Sequence, residues 1–177
     1  DVEKAIEEHM KTAAKQLKGS KVRCNLAADG DADRPAFFDS EGKFIYGDKI
    51  CGLTCIYLRE LFPQKDFTVV VTATCNDAMV RLLREKYGMN VIKVEVGSPY
   101  VVAEIEEQER SNPNAVVLGF ERNTGFFIQT PLRLPNGNVV GKLATRDSTF
   151  VMLVINLMAK LRGLETLEAL VEILPLR

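Results

Sequence analysis

Apolar residues at Val2, Ile6, Met10, Ala13 and Leu17 recur at helical spacing, so the chain is expected to open on an amphipathic helix. Acidic residues crowd its start (Asp1, Glu3, Glu7, Glu8) and lysines its end, which suits the helix dipole, and Gly19 follows as a stop. Val22 to Ala27 reads as a short strand that runs into the polar segment Asp29-Gly30-Asp31-Ala32-Asp33-Arg34-Pro35. Ala36 to Phe38 and Phe44 to Tyr46 read as strands flanking the turn Asp39-Ser40-Glu41-Gly42.

From Gly47 the pattern changes. Ile50, Leu53, Thr54, Tyr57, Leu58 and Leu61 form one helix face, and Pro63 ends it. Phe67 to Ala73 is a continuous valine-rich run, the mark of a strand covered on both faces, as in a parallel sheet. Asn76 or Asp77 caps a helix through Tyr87, closed by Gly88. Val91 to Val96 reads as a strand, Tyr100 to Arg110 as a helix, and Ala115 to Leu118 and Phe126 to Gln129 as strands. Polar turns surround Pro135-Asn136-Gly137-Asn138, and two helices follow, from about Arg146 to Leu161 and from Glu165 to Ile173. Strands alternating with helices predict a three-layer α/β/α domain with a mixed, mainly parallel sheet. Residues 1–46 hold only part of an α/β domain, so the strand at Val22 to Ala27 lacks sheet neighbours. That predicts self-association through the truncated domain, or poor order there.

Composition narrows the function classes. A chain of 177 residues with 23 basic and 24 acidic side chains carries a formal charge of −1, which gives no bulk support for a nucleic-acid or membrane-surface role. No apolar run reaches the ~18 residues of a membrane span, and no signal peptide opens the chain, so a cytoplasmic protein is expected. The start at Asp1 suggests a fragment or a processed product. Cys24, Cys51, Cys55 and Cys75 have no companion histidine pair and read as buried, reduced thiols. The lone His9 reads as a surface residue, and the Met and Leu stripe of Val151 to Leu161 as core. Phe126 and Phe127 read as strand packing, and Glu104, Glu106, Glu107, Glu109 and Arg110 as a solvated helical face.

The sharpest chemical feature is Asp29-Gly30-Asp31-Ala32-Asp33. Three carboxylates at alternate positions repel one another unless a cation compensates them, and hard oxygen ligands select Mg2+ or Ca2+. A plain surface turn is the alternative. An EF-hand loop starting at Asp29 would need glycine and glutamate where Arg34 and Ser40 stand, so that reading fails. A haloacid-dehalogenase-type phosphatase, with Asp29 as nucleophile, also places Asp-x-Asp after an apolar strand, but its usual Thr or Val is Asp33 here. Arg34 beside the loop suits a site that handles phosphoryl oxygens. A second constellation, Gly119-Phe120-Glu121-Arg122-Asn123-Thr124-Gly125-Phe126, follows a buried strand, where open α/β sheets place ligands. Its carboxylate and amide can hydrogen-bond the hydroxyls of a sugar.

These motifs in this order, with Gly47-Asp48 between them and Thr145-Arg146-Asp147 before a long apolar helix, resemble the α-D-phosphohexomutases, in particular the phosphomannomutase/phosphoglucomutase branch. The resemblance implies that residues 1–46 are the C-terminal part of domain 2 with its metal loop. It implies further that residues 47–164 are domain 3 with its sugar-recognition loop, and residues 165–177 the connection toward domain 4. It implies Mg2+-dependent transfer of a phosphoryl group between the 1- and 6-positions of a hexose, mannose and/or glucose, through a phosphoserine and a bisphosphorylated sugar. Asp29, Asp31 and Asp33 would hold Mg2+, Arg34 would steady the reacting phosphate as the catalytic residue, and Gly119, Glu121 and Asn123 would bind the sugar. The family's Ser-His-Asn-Pro-like loop and phosphate-gripping domain have no match in these residues, so this stretch alone is expected to be inactive. The recognition loop is longer than the family's Glu-x-Ser-Gly form, and Pro99 stands where many relatives place a basic residue. A non-catalytic module that binds a divalent cation or a sugar phosphate is the competing reading.

Overall fold

The computed structural model describes Lys4, Glu8, Lys11, Thr12 and Lys15, then residues 25–134, 136–143 and 145–174. The five early residues are helical and exposed, and Thr12 Oγ1 donates to Glu8 O at 2.9 Å. The remainder of the expected first helix, with His9, Cys24 and residues 22–24 of the first strand, lies outside the described residues.

Strands β1 (Asn25–Ala28), β2 (Pro35–Phe38) and β3 (Phe44–Ile45) form an antiparallel sheet in that order. The second sheet has the order β5-β4-β6-β7, from β4 (Phe67–Thr72), β5 (Asn90–Val94), β6 (Val116–Phe120) and β7 (Phe126–Ile128). β4 is wholly buried and pairs in parallel with β5 and β6, as its unbroken apolar run predicts. β7 returns antiparallel to β6. The five residues between β6 and β7 are too few for a crossover, so a hairpin is the only connection that fits. A small hairpin of β8 (Leu132–Arg133) and β9 (Val139–Val140) frames the polar turn that the sequence marks without its strands.

Helices cover both faces of the second sheet: α1 (Gly47–Leu61), α2 (Asp77–Glu85), α3 (Ser98–Ser111), α4 (Ser148–Leu161) and α5 (Leu167–Val171). The alternation along β4 assigns the faces. Val69 and Val71 join a large core with α1, α2, α4 and α5, whereas Val70 joins Val101 and Ile105 of α3. The result is the expected three-layer α/β/α arrangement with a mixed, mainly parallel sheet. Phe37 and Ile45 of the first sheet enter the same large core, so that sheet is fastened to the α1 and α4 layer.

The helix ends follow capping chemistry. Asn76 Oδ1 accepts from Ala78 N at 2.8 Å, and Asp147 Oδ1 accepts from Phe150 N at 2.6 Å. Cys51, Cys55 and Cys75 are free and buried, and burial pushes the Cys75 thiol up to about 12. The apolar stripe of α4 is core on one side only. Val151, Ile155, Met158 and Ala159 are buried, but Leu153 and Leu161 are 65% and 66% exposed. Among the described residues, no helix is long and apolar enough to cross a membrane.

Candidate functional site

The acidic loop leaves β1 at Ala28 and returns at Pro35. Ala32 N donates to Asp29 O at 3.0 Å and Asp29 N to Arg34 O at 3.2 Å, so the loop closes on itself. Ala32 adopts φ +59°, a conformation that an alanine adopts only when its surroundings hold it there. Carboxylate oxygens of Asp29, Asp31 and Asp33 lie within 4.8 Å of one another. Opposite oxygens around Mg2+ stand about 4 Å apart, so a small closure brings three ligands onto one ion. Asp33 Oδ1 is buried and accepts no hydrogen bond, with only the longer ion-pair contact to Arg34 beside it, so a hard cation would satisfy it better.

Arg34 lies across the loop. Its Nε is 2.5 Å from Asp29 Oδ2 and 3.4 Å from Asp33 Oδ1, and its backbone N–H donates to Asp29 Oδ1 at 3.1 Å. Burial opposes ionisation of Asp29, but the Arg34 backbone N–H and guanidinium outweigh it and hold the carboxyl below the ordinary carboxylate range. The hydrogen bond that the Arg34 guanidinium donates to Asp29 raises Arg34 above its ordinary value in turn.

The recognition segment is the β6–β7 hairpin loop. Glu121 N donates to Gly125 O at 2.9 Å, Thr124 N to Glu121 O at 3.0 Å, and Gly125 N to Asn123 Oδ1 at 3.1 Å. Thr124 has φ +73°, so each loop holds one non-glycine residue in the left-handed region. Gly47 at the start of α1 lets the hairpin approach: a Cβ there would stand 2.3 Å from Arg122 O and 2.6 Å from Thr124 N. The buried Asp48 accepts from Asn76 N at 3.3 Å and ties α1 to the α2 cap. A cleft of about 560 Å³ separates the two loops, with Asp29 and Arg34 on one wall and Arg122, Asn123 and Thr124 on the other. Arg122 stacks over Tyr46 at its edge, 5.7 Å from the ring centroid.

Of the residues singled out from sequence, Asp29, Asp31, Asp33 and Arg34 stand together on the acidic loop, and Glu121 and Asn123 stand together on the hairpin. Gly119 does not join them. It lies inside β6, where a Cβ would point at Ile105 and Val101 of α3, beneath the sheet. The two groups are joined by a residue to which the sequence assigned no role. Arg146 Nη2 is 2.5 Å from Asp33 Oδ2, and Arg146 Nη1 is 3.2 Å from Glu121 Oε2. Ser148 Oγ, two residues on, donates to Ala32 O at 2.6 Å. The only signal was the placement of Arg146-Asp147 just before a long apolar helix.

Residues 46–175 match the family model described as phosphoglucomutase/phosphomannomutase, alpha/beta/alpha domain III. A phosphoglucosamine/phosphogalactosamine mutase of Sulfurisphaera tokodaii is 34% identical over 118 residues, covering 67% of this chain and 24% of that protein. The crystal structure of a phosphoglucomutase/phosphomannomutase family protein from Burkholderia thailandensis superposes with a TM-score of 0.68 at 20% identity, over 97% of this chain and 33% of that one. That of Aspergillus fumigatus N-acetylphosphoglucosamine mutase in complex with GlcNAc-6P and magnesium gives 0.62 at 18% identity, over 89% and 37%. These structures share the fold. The chain thus spans about a quarter of the length of the curated relative and about a third of each solved one.

Proposed function

The chain belongs to the phosphoglucomutase/phosphomannomutase family, and we propose that it supplies the metal loop and the sugar-recognition loop of a phosphohexomutase. In this reading residues 1–46 close domain 2, residues 47–164 form domain 3, and residues 165–177 lead toward domain 4. The observation that supports it most is the meeting of the two loops: Asp33 of the acidic triad and Glu121 of the hairpin share Arg146.

Asp29, Asp31 and Asp33 hold Mg2+ in this proposal, and the bound ion supplies charge neutralisation at the phosphoryl oxygens. Arg34 steadies the reacting phosphate from beside the triad. Glu121 and Asn123 accept from and donate to the sugar hydroxyls, with Asn123 on the cleft wall and Glu121 buried at the base of the same hairpin loop. Positioning and charge carry most of the barrier lowering in phosphoryl transfer, and these residues provide both. The substrate is a hexose phosphate, mannose or glucose, and the names of relatives such as the phosphoglucosamine/phosphogalactosamine mutase add glucosamine phosphate to the candidates.

The test is amide-resolved NMR of the chain, titrated with Mg2+ and then with glucose 1,6-bisphosphate, mannose 1-phosphate and glucosamine 6-phosphate in turn. Shifts confined to residues 29–34 and 119–125 are expected, with no mutase turnover by the chain alone. Shifts absent from 29–34 at millimolar Mg2+ would overturn the metal assignment. Phosphate release that depends on Asp29, lost in Asp29→Asn, would favour the phosphatase reading instead.

A further inference from the structure

Arg146 is the point at which the two halves of the site touch. Its guanidinium is divided between Asp33, a member of the acidic triad, and Glu121, which is 6% exposed on the hairpin. Three neighbours fix it there. Asp147 caps α4 and sets the backbone direction, and Ser148 pins the same turn to Ala32 O of the acidic loop. Gly125 leaves the space its stem occupies, since a Cβ at that position would stand 2.6 Å from Arg146 Cδ. A guanidinium with one fork on each carboxylate has a definite consequence: whatever draws on one carboxylate changes what Arg146 offers the other.

We infer that Arg146 is a positioning residue that couples the metal loop to the sugar loop, by competing with a divalent cation for Asp33 while anchoring Glu121. The inference rests on the metal reading of the acidic triad. A cation and a guanidinium cannot both hold Asp33 at full strength, because their charges repel. With Arg146 removed, the triad has no internal competitor at Asp33. With Glu121 neutralised, Arg146 has only Asp33 to hold, and the triad resists a cation more strongly.

The experiment is a Mn2+ titration of the 177-residue chain, followed by electron paramagnetic resonance of the free ion, with Asp29→Asn as the control for the site. Arg146→Gln is expected to bind Mn2+ about fivefold more tightly than wild type, the scale of one partly exposed ion pair. Arg146→Lys keeps the charge but loses the two-pronged grip, so its affinity is expected to fall between wild type and Arg146→Gln. Glu121→Gln is expected to weaken Mn2+ binding by a similar factor in the wild-type background and to have no effect in the Arg146→Gln background. A purely structural role for Arg146 predicts the opposite sign, because a loosened loop binds metal less well. An Arg146→Gln affinity equal to or weaker than wild type overturns the inference while leaving the metal reading intact. A Glu121→Gln effect that persists without Arg146 is the field of a distant charge and also overturns it. Wild-type chain that binds no Mn2+ at millimolar concentration, or binds it equally in Asp29→Asn, overturns the metal reading and the inference together.

Discussion

A Cβ at residue 125 would stand 2.6 Å from Arg146 Cδ and 2.8 Å from Glu121 Oε2. Glu121 Oε2 is a side-chain end and Arg146 Cδ lies on a flexible stem, so Gly125→Ala displaces the site and leaves the core packing alone. We expect the thermal midpoint of Gly125→Ala to stay close to wild type and its hexose phosphate affinity, by calorimetry, to fall by about tenfold or more. Unchanged affinity would show that neither Arg146 nor Glu121 is held where binding needs it. The contrast with the acidic triad says what a sequence can reveal at this scale. Asp29, Asp31 and Asp33 were legible because their mutual repulsion is local and demands an explanation within five residues. Arg146 was not, because both its partners are remote in sequence and an arginine before a helix is ordinary. The family resemblance puts Gly119 beside the sugar, but the strand carries on through it to Phe120, and its missing side chain serves the packing of α3.

Elements were read well where one apolar period runs unbroken, as in β4, α2 and α4. They were misplaced where the ends are polar. α1 begins at Gly47, before its first apolar residue Ile50, and Tyr46 at its start offers no capping side chain to mark it. α3 begins at Ser98, with Pro99 in its first turn, where proline's missing N–H costs nothing. The β6–β7 pair shows the close fit between layers. A Cβ at Gly119 would stand 2.4 Å from Ile105 Cδ1 and 2.9 Å from Val101 Cγ1, in a cluster where both side chains are buried. Gly119→Ala therefore overpacks the α3 layer, and we expect it to cost about 1–3 kcal/mol in urea denaturation. A full-stability Gly119→Ala would mean that α3 rides loosely on the sheet.

At the scale of the whole molecule, the antiparallel sheet that carries the acidic loop has to keep its place against the layer that carries the hairpin. Phe37 and Ile45 contribute burial, Ser148 and Arg146 contribute polar ties near the site, and a further tie lies in the turn between β2 and β3. Ser40 N donates to Glu168 Oε1 of α5 at 2.8 Å, and Ser40 Oγ donates to the same oxygen, joining residues 128 positions apart. Partial burial pushes the Glu168 carboxyl up, but the hydrogen bonds from Ser40 outweigh it and hold it below its ordinary value of 4.5. A carboxylate depressed on folding stabilises the folded state above its ordinary value, and that contribution is lost as pH falls through the lowered folded value. Glu168→Gln has no such titration. Wild type should therefore exceed Glu168→Gln by about 1 kcal/mol at neutral pH, a charged hydrogen bond discounted for its exposure. The gap should close below pH 4.5 as Glu168 protonates. Thermal midpoints of the two proteins, measured from neutral pH downward, check this. A gap that stays constant with pH would mean that Glu168 holds Ser40 by shape and not by charge.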